Sequence, residues 1–499
     1  MDFWKSKILT PLLLIFVLAI LIRFLYFPSN TYFGYDQARD SFSALEVLTG
    51  NLKLIGPPSS INQNLFHGPL IYYIYTPVYF ISGGNPEAVS FIFRILNALG
   101  ILTVFLIGKI IFNKWVGLLS AFIYAISYEQ SQYALFLSHP SLAAVTVPLF
   151  YLGLTLVIFK QKNWGLILAM LALGLSIQFH YIHGYLILVL AAVMTVFRKQ
   201  IKVLNLRTSL IAAVVFLLTT SSFILAEIKF HFREISVFLS ATLKSNFDLL
   251  QIFKITERTI HDNLFAYSPI VFISLILIGI FLNLKSKLKT KMIFLIIWFA
   301  SGFIPYLISS SPSYYYNGGA SAGLIILVAF LIWQIFQRLK LAAFILIALV
   351  FVSNINLVKN NYLGLNKDFI IQPQMLTRNE KQAIDFMYQK TNGQSLAVKA
   401  LTVPLNINTT WSYLFEWYGK QQYGYVPVWV GPTAAGFAGN MKVENDRGQL
   451  PQKQFIIIEP TIGIEQNQID SFFKEESYFT KIVEEKKFGT IIVQERRRY

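Results

Sequence analysis

A short polar segment, Gly34-Tyr35-Asp36-Gln37-Ala38-Arg39-Asp40, follows the first long hydrophobic run of the chain and carries two acidic residues. A carboxylate at the edge of a membrane is partly desolvated and can take a proton from a substrate hydroxyl. Asp36 and Asp40 are four residues apart, so a helix would place them on one face, with Arg39 beside them. The same acids could instead only stabilise the first turn of that helix, and both interpretations stay open.

Histidines form a second group of candidates. His67 stands in the segment His67-Gly68-Pro69, before a predicted surface helix. His139 stands in Ser138-His139-Pro140, where an imidazole could position a substrate or cap a helix at the membrane interface. His180 and His183 are three residues apart, a spacing that can bring two imidazoles to one face of a helical turn and so hold a divalent metal. Because no third ligand stands near them in the sequence, we assign no metal site and leave a divalent metal cofactor as an open option.

Three consecutive tyrosines, Tyr314, Tyr315 and Tyr316, precede the pair Gly318-Gly319. Rings of this kind can stack on a sugar or contact a polyprenyl phosphate. They can equally belong to the belt of aromatic residues that membrane proteins place at the lipid headgroups.

The composition decides in which class of protein these residues must work. Of the 499 residues, 55% are hydrophobic, 16% are aromatic and only 13% are charged, and the mean hydropathy is +0.55. A soluble domain contains about 25% charged residues. Most of the net charge of +17 sits in short loops between apolar runs, which argues against a nucleic-acid partner. The absence of cysteine excludes disulfides and a cysteine nucleophile. The sequence therefore predicts an α-helical polytopic membrane protein.

Apolar runs predict about eleven transmembrane helices, since roughly 17 to 25 apolar residues cross a bilayer. The runs cover residues 8–27, 88–112, 115–128, 138–159, 164–179, 181–197, 208–226, 267–284, 292–310, 320–336 and 341–357. Lysine and arginine clusters, from Lys5 and Lys7 to Arg338 and Lys340, fall in every second loop, and the positive-inside rule assigns these loops to the cytoplasm. The N terminus is then cytoplasmic, and the chain after residue 358 lies outside.

Three outer segments are long enough to carry function: residues 28–87, 227–266 and 359–499. In the first, helical periodicity predicts two surface helices, one from Asp36 to Leu48 and one after Pro69. We divide the chain into a transmembrane domain, 1–358, and an extracytoplasmic tail, 359–499.

The tail is predicted to be a small α/β domain. Thr377-Arg378-Asn379-Glu380 is a capping-box pattern that predicts a helix to about Lys390. Strand-like runs follow at 395–399, 454–459, 479–484 and 489–494.

The order of these features resembles that of the membrane-embedded glycosyltransferases of the GT-C fold. Within them the chain is similar to family 39 and its relatives, the protein O-mannosyltransferases and the aminoarabinose transferases of lipid A. The motifs that carry the resemblance lie between residues 8 and 200, and they are, in order, Phe33-Gly34-Tyr35-Asp36-Gln37-Ala38-Arg39-Asp40, His67-Gly68-Pro69-Leu70, Phe93-Arg94-Ile95-Leu96-Asn97, Ser138-His139-Pro140-Ser141-Leu142 and Gln178-Phe179-His180-Tyr181.

The resemblance implies a GT-C fold and a donor whose sugar is joined through phosphate to a polyprenol in the outer leaflet. It implies that Asp36 acts as the general base on the acceptor hydroxyl or helps to orient it. The candidates for supporting residues are then Asp40, His67 and His139. The candidates that would bind the leaving phosphate are Arg94, Arg258 and His261. The candidates that would line the substrate site are Tyr35, Tyr314, Tyr315, Tyr316, His180 and His183.

Two features qualify these roles. Arg94 could also be an interfacial arginine or the partner of an acid. Many relatives have adjacent acids in the first loop and an aspartate near the start of the fourth span, where this chain has Asp40 and Ser138-His139-Pro140. The second acid is therefore not assigned.

The predicted function is transfer of a sugar from a polyprenyl-phosphate donor to a hydroxyl of a glycan, lipid or protein, with inversion, at the outer face of the plasma membrane. The rival is a lipid-linked sugar flippase or transporter without transferase activity. Transporters tend to place charges at mid-membrane and to contain repeats, and the sequence has few such charges. A nucleotide-driven pump is disfavoured, because no Gly-rich phosphate loop occurs.

Overall fold

The structure is a computed structural model that describes residues 8–59, 64–232, 236–237, 249–308, 313–432, 436–439 and 441–499. Lys5 and Lys7, on which part of the predicted orientation rests, lie outside these ranges. So do parts of the predicted outer segment 227–266 and the end of the predicted run 292–310.

The described chain is mostly helical, and its helices follow the apolar runs of the sequence. The helices of the first half are α1 (Leu9–Arg23), α2 (Tyr35–Leu48), α3 (Leu70–Ser82), α4 (Pro86–Ile111), α5 (Lys114–Ile126), α6 (Tyr128–Leu135), α7 (His139–Lys160), α8 (Trp164–Phe179), α9 (Leu186–Val196), α10 (Leu206–Thr219) and α11 (Ser221–Lys229). Those of the membrane part that follow are α12 (Leu249–Asn263), α13 (Pro269–Leu284), α14 (Lys289–Ser301), α15 (Ile304–Ile308), α16 (Ser321–Phe336) and α17 (Lys340–Val358).

The predicted count of about eleven spans is not confirmed. Among the described residues, three helices are long and apolar enough to cross a membrane by themselves: 86–111, 139–160 and 340–363. The pair α10 and α11 would make a fourth, although it is bent by 58°. Most of the other predicted runs hold apolar helices of 10 to 17 residues, which are at or below the length that a straight crossing needs.

Close helix packing in the membrane part depends on small residues. A side-chain carbon added to Gly153 of α7 would come within 2.6 Å of the carbonyl oxygen of Gly165 in α8, and the reverse substitution would meet the carbonyl oxygen of Gly153 at the same distance. Glycines let helix backbones approach this closely where no hydrophobic force drives helices together. The two histidines described below stand at the opposite end of the α7–α8 pair. Nearer to them, the hydroxyls of Thr146 and Ser176 share a hydrogen bond of 2.8 Å between the two helices.

The two helices predicted for the first outer loop are present as α2 and α3. Gly34 caps the start of α2, its backbone N–H donating to Oε1 of Gln37 at 3.2 Å. The amide nitrogen of Gln37 in turn donates to the carbonyl oxygen of Leu137 at 2.9 Å. The start of α2 is thus tied to the chain just before α7.

The tail forms a five-stranded sheet in the order β2-β1-β3-β5-β4. The strands are β1 (Leu396–Leu401), β2 (Val428–Trp429), β3 (Lys453–Ile458), β4 (Thr480–Phe488) and β5 (Ile491–Arg498). The strands β2, β1 and β3 are parallel, and the β4–β5 hairpin joins β3 antiparallel. Four helices accompany the sheet: α18 (Thr377–Thr391), α19 (Thr409–Leu414), α20 (Lys420–Tyr423) and α21 (Gln466–Phe479). The predicted small C-terminal sheet is confirmed.

The predicted capping box of α18 is wrong, although the helix is present. The N-cap residue is Leu376, without a side-chain cap. The hydroxyl of Thr377 donates instead to the carboxylate of Glu87 at 3.1 Å. A contact with the membrane part has replaced the local contact, which a sequence pattern cannot reveal.

Backbone hydrogen bonds join the tail to the first outer loop. The N–H of Phe33 donates to the carbonyl of Met375, and the N–H of Thr377 donates to the carbonyl of Thr31, both at 2.9 Å. Lys381 pairs with Glu87 at 2.7 Å. Side chains of α2, α6 and the tail share one buried apolar cluster. The tail therefore packs directly on the segment that carries Asp36.

Candidate active site

A cavity of about 1090 Å³ lies where the first outer loop, the start of α7 and the tail meet. Its walls contain Tyr35, Asp36, Arg39, His67, His139, His180, Arg258, Tyr314 and Tyr315, together with the tail segments 367–372, 403–404 and 436–438. The structure therefore brings together residues that the sequence places up to four hundred positions apart.

Arg39 holds both acids of the first outer loop. Its guanidinium nitrogens lie 2.7 Å from a carboxylate oxygen of Asp36 and 2.8 Å from one of Asp40. The Asp36 side chain is 58% exposed and lines the cavity, whereas the Asp40 side chain is fully buried. The two acids are thus in different environments, and of the two only Asp36 lines the cavity.

Burial raises the pKa of Asp40 from about 3.8 to about 6, and the nearby positive charge of Arg39 only partly offsets this effect. One oxygen of this carboxylate, Oδ2, is buried and has no hydrogen-bond partner. The sequence predicts an acid in this loop whose pKa is raised by desolvation, and in the structure this acid is Asp40.

Three buried histidines meet at one side of the cavity. The ring centroid of His67 lies 4.1 Å from that of His139 and 4.2 Å from that of His180. Each ring offers a nitrogen, and these nitrogens lie within 4.8 Å of one another. Burial holds the pKa of His67 well below its usual range, which favours the neutral imidazole. His183, which sequence analysis paired with His180, is buried but lies outside this group and outside the residues that line the cavity.

Arg258 of α12 lies at the cavity over the ring of Tyr314, with 3.8 Å between the guanidinium carbon and the ring centroid. It donates weak hydrogen bonds of 3.3 Å to Tyr306, Asn317 and the carbonyl of Tyr314. Its Nε is buried and has no partner. The Arg258 side chain is therefore held at the cavity wall through one terminal nitrogen, Nη2.

Tyr314 is fixed from its other end, because its hydroxyl donates to Asp262 at 2.5 Å. The second oxygen of Asp262 pairs with His261 at 2.7 Å, and this hydrogen bond raises the pKa of His261. His261 is not among the residues that line the cavity. Tyr316 is buried against His180 and is also outside the cavity wall.

The structure does not bring Arg94 to the cavity. Its guanidinium donates to Ser90 at 3.1 Å, to the carbonyl of Arg23 at 2.5 Å and to Asn30 at 2.9 Å. The side chain is fully buried. Arg94 therefore holds the end of α1 and the following loop. This role is neither of the alternatives that the sequence left open, since the side chain is not at an interface and none of these partners is an acid.

The sequence did not indicate two features of the site. The first is the convergence of His67, His139 and His180, although each stands in one of the quoted motifs. The second is the cavity wall formed by the tail, including Lys367 and Asp368, because the tail carries no motif.

Residues 66–225 match the sequence profile of the dolichyl-phosphate-mannose-protein mannosyltransferase family. The match covers about a third of the chain, and it contains His67, His139 and His180 but not Asp36. No curated protein sequence matches the chain at a significant level.

Solved structures match over nearly the whole chain. The structure of ArnT from Cupriavidus metallidurans bound to undecaprenyl phosphate superposes with a TM-score of 0.61 and 13% identity, covering 97% of each chain. Its apo state gives the same TM-score and identity over 98% of each chain. The apo oligosaccharyltransferase of Archaeoglobus fulgidus gives a TM-score of 0.54 and 13% identity over 86% of this chain and 65% of its own.

These matches confirm the predicted resemblance to GT-C glycosyltransferases of the family 39 type. The chain has the GT-C fold and is a multi-pass membrane protein. At 13% identity the structural similarity concerns the fold, so the role of each residue must come from the site itself.

The raised pKa of Asp40 generates a prediction about stability. A buried acid that binds its proton more tightly when folded loses stability as the pH rises from its unfolded pKa, near 3.8, to its folded pKa, about 6. The slope in this window is up to about 1.4 kcal/mol per pH unit, and it is flat above and below. We expect Asp40→Asn to remove this slope, so that its melting temperature in detergent rises relative to the wild type between pH 4 and pH 6.

The matched control is Asp36→Asn, which also removes a carboxylate from Arg39 but at an exposed position. The difference in melting temperature between Asp36→Asn and the wild type should change little over the same pH range. Parallel pH profiles of Asp40→Asn and the wild type would contradict the assignment.

Proposed function

We propose that the protein is a glycosyltransferase that moves a sugar from a polyprenyl-phosphate donor to an acceptor hydroxyl at the outer face of the membrane, by a single displacement with inversion. The observation that carries this proposal is that Asp36 and Arg258 line one cavity. The family profile and the structural similarity to an undecaprenyl-phosphate-bound ArnT support it.

The proposed reaction needs a base on the acceptor side. The hydroxyl oxygen of the acceptor would attack the anomeric carbon of the sugar while the bond from that carbon to the phosphate oxygen breaks. The hydroxyl proton would pass to Asp36, whose exposed side chain lines the cavity. Arg39 holds this side chain through one oxygen at 2.7 Å, which orients the carboxylate for proton transfer.

The leaving group is a polyprenyl phosphate, and it gains negative charge as the sugar departs. Arg258 is the proposed partner, because it lines the cavity and a guanidinium can donate charge-assisted hydrogen bonds to phosphate oxygens. Lys367 on the tail side of the cavity adds a second positive charge. Arg94 and His261, the other candidates, are engaged elsewhere.

The acceptor would enter between the membrane part and the tail, because tail residues form one wall of the cavity. We propose the orientation that the charge pattern predicts, with a cytoplasmic N terminus, about eleven spans, and the cavity and tail outside. The division into a transmembrane domain, 1–358, and an extracytoplasmic domain, 359–499, belongs to the same proposal.

Removal of the proposed base should stop transfer without weakening the binding of the lipid. We expect Asp36→Asn to lower kcat by roughly 10²- to 10⁴-fold, the usual contribution of a general base. The measurement is release of polyprenyl phosphate from a panel of polyprenyl-phosphate sugars by the full chain in nanodiscs, with glycan, lipid and peptide acceptors that carry a free hydroxyl. Glu46→Gln, an exposed acid of the same helix paired with Lys53, is the matched control and should keep wild-type activity.

Transfer at the wild-type rate by Asp36→Asn would eliminate Asp36 as the base. A wild-type protein that moves lipid-linked sugars across a vesicle membrane but releases no polyprenyl phosphate from any donor would instead favour the flippase.

Removal of the proposed phosphate partner should act on lipid binding. We expect Arg258→Ala to weaken the binding of undecaprenyl phosphate by about 10- to 100-fold, since a hydrogen bond to a charged group contributes roughly 1.5–3 kcal/mol. The measurement is the Kd by native mass spectrometry of the full chain. Arg338→Ala, which removes an exposed arginine after α16, controls for general loss of charge, and an equal loss of affinity in both variants would count against Arg258.

A further inference from the structure

We propose that His67, His139 and His180 form a binding site for one transition-metal ion, Zn²⁺ in the first place, with a fourth coordination position open to the cavity. The three side chains are at most 7% exposed, and all three line the cavity. Nitrogen atoms from the three rings lie within 4.8 Å of one another. Among the described residues, no other group of three histidine or carboxylate side chains meets this condition.

The backbone brings the three rings together without help from a metal. His67 lies in a loop that backbone hydrogen bonds hold in place. Its N–H donates to the carbonyl of Pro57, and its carbonyl accepts from the N–H of Gly56, both at 2.9 Å. The next residue, Gly68, donates to the carbonyl of Gln178 at 3.0 Å. A side-chain carbon at Gly68 would come within 2.6 Å of that carbonyl oxygen, so glycine allows this loop to reach the end of α8.

The other two rings stand at helix ends. His139 is the first residue of α7, and His180 follows the last residue of α8. The two helices pack closely at Gly153 and Gly165 and share a hydrogen bond between Thr146 and Ser176 nearer to the histidines. Ligands presented by helices are positioned more precisely than ligands on loops.

The donor set indicates the class of metal. Three imidazoles without a carboxylate suit Zn²⁺, Co²⁺ or Ni²⁺, whereas Mg²⁺ and Ca²⁺ require oxygen ligands. Three protein ligands with one open position are typical of a zinc ion that also contacts water or substrate. A tetrahedral ion with bonds of about 2.0–2.1 Å needs nitrogens roughly 3.3 Å apart, so the rings must close by about 1.5 Å at most.

The imidazole nitrogens have few competing hydrogen-bond partners. Nδ1 of His67 is buried and has no hydrogen-bond partner, and Nδ1 of His139 has only a long contact of 3.5 Å with Ser138. Nδ1 of His180 accepts a 3.2 Å hydrogen bond from the N–H of Ile182. The metal would compete with this single neutral hydrogen bond.

The site deepens the proposed function but rests on the imidazoles alone. A metal at this position could hold a phosphate oxygen of the donor or the hydroxyl of the acceptor in its open position. Metal binding needs no sugar donor to be measured, so its failure and the failure of the proposed transfer are separable.

The test uses the full chain purified with a tag that contains no histidine, stripped with a chelator and then titrated with Co²⁺ or Zn²⁺. We expect one equivalent of metal by elemental mass spectrometry, and visible Co²⁺ absorption of the intensity that four-coordinate sites give. The variants His67→Ala and His139→Ala should each lose this equivalent, and His139→Cys should regain it, because a thiolate also binds these metals.

Two histidines outside the group are matched controls. His183→Gln removes the buried neighbour of His180, and His231→Gln removes an exposed imidazole; both should keep one equivalent. A further measurement needs no variant, so it does not depend on whether a variant folds. Zn²⁺, but not Mg²⁺, should raise the melting temperature of the wild type.

Two results would overturn the proposal. One is a wild type that binds no more metal than the His67→Ala/His139→Ala double variant. The other is retention of the metal by His67→Ala together with its loss from His183→Gln, which would move the site to the pair that the sequence spacing favoured.

Discussion

The double ion pair of Arg39 is the interaction on which the site depends. One guanidinium holds an exposed carboxylate, Asp36, and a buried one, Asp40, on the same helix. A buried ion pair costs much of its attraction in desolvation, so this arrangement is a poor source of stability. It is well suited to keeping one carboxylate at a fixed place in a cavity wall, which a reaction that depends on proton transfer requires.

The position of α2 in turn depends on the tail. Two parts of the chain that are more than 290 residues apart are joined here. Backbone hydrogen bonds link Thr31 and Phe33 with residues 375–377, and Glu87 pairs with Lys381. The tail also forms one wall of the cavity. We therefore regard the tail as part of the site, and this explains why a domain without motifs of its own accompanies the membrane part.

Much of the fold could be predicted from the sequence, because it follows from local patterns. Helical periodicity gave the helices α2 and α3, and apolar runs gave the helices of the membrane part. Alternating strands gave most of the tail sheet. The number of spans could not be settled, because several helices, such as Lys114–Ile126 and Trp164–Phe179, are shorter than a bilayer is thick. Whether such a helix crosses depends on its packing and not on its own composition.

The sequence could supply candidate residues but not their arrangement in space. Asp36, Arg258, Tyr314 and Tyr315 line the cavity, whereas Arg94 is engaged by Ser90, Asn30 and the carbonyl of Arg23. The three histidines come from a loop and two helix ends. His67 and His139, the partners of His180 in the proposed metal site, stand far from it in the sequence, so the spacing of neighbouring histidines could not reveal them. The most direct test of the account is an experimental structure of the full chain with undecaprenyl phosphate. The account predicts the phosphate inside the cavity, hydrogen-bonded to Arg258 and facing Asp36, and a phosphate bound outside this cavity would contradict it.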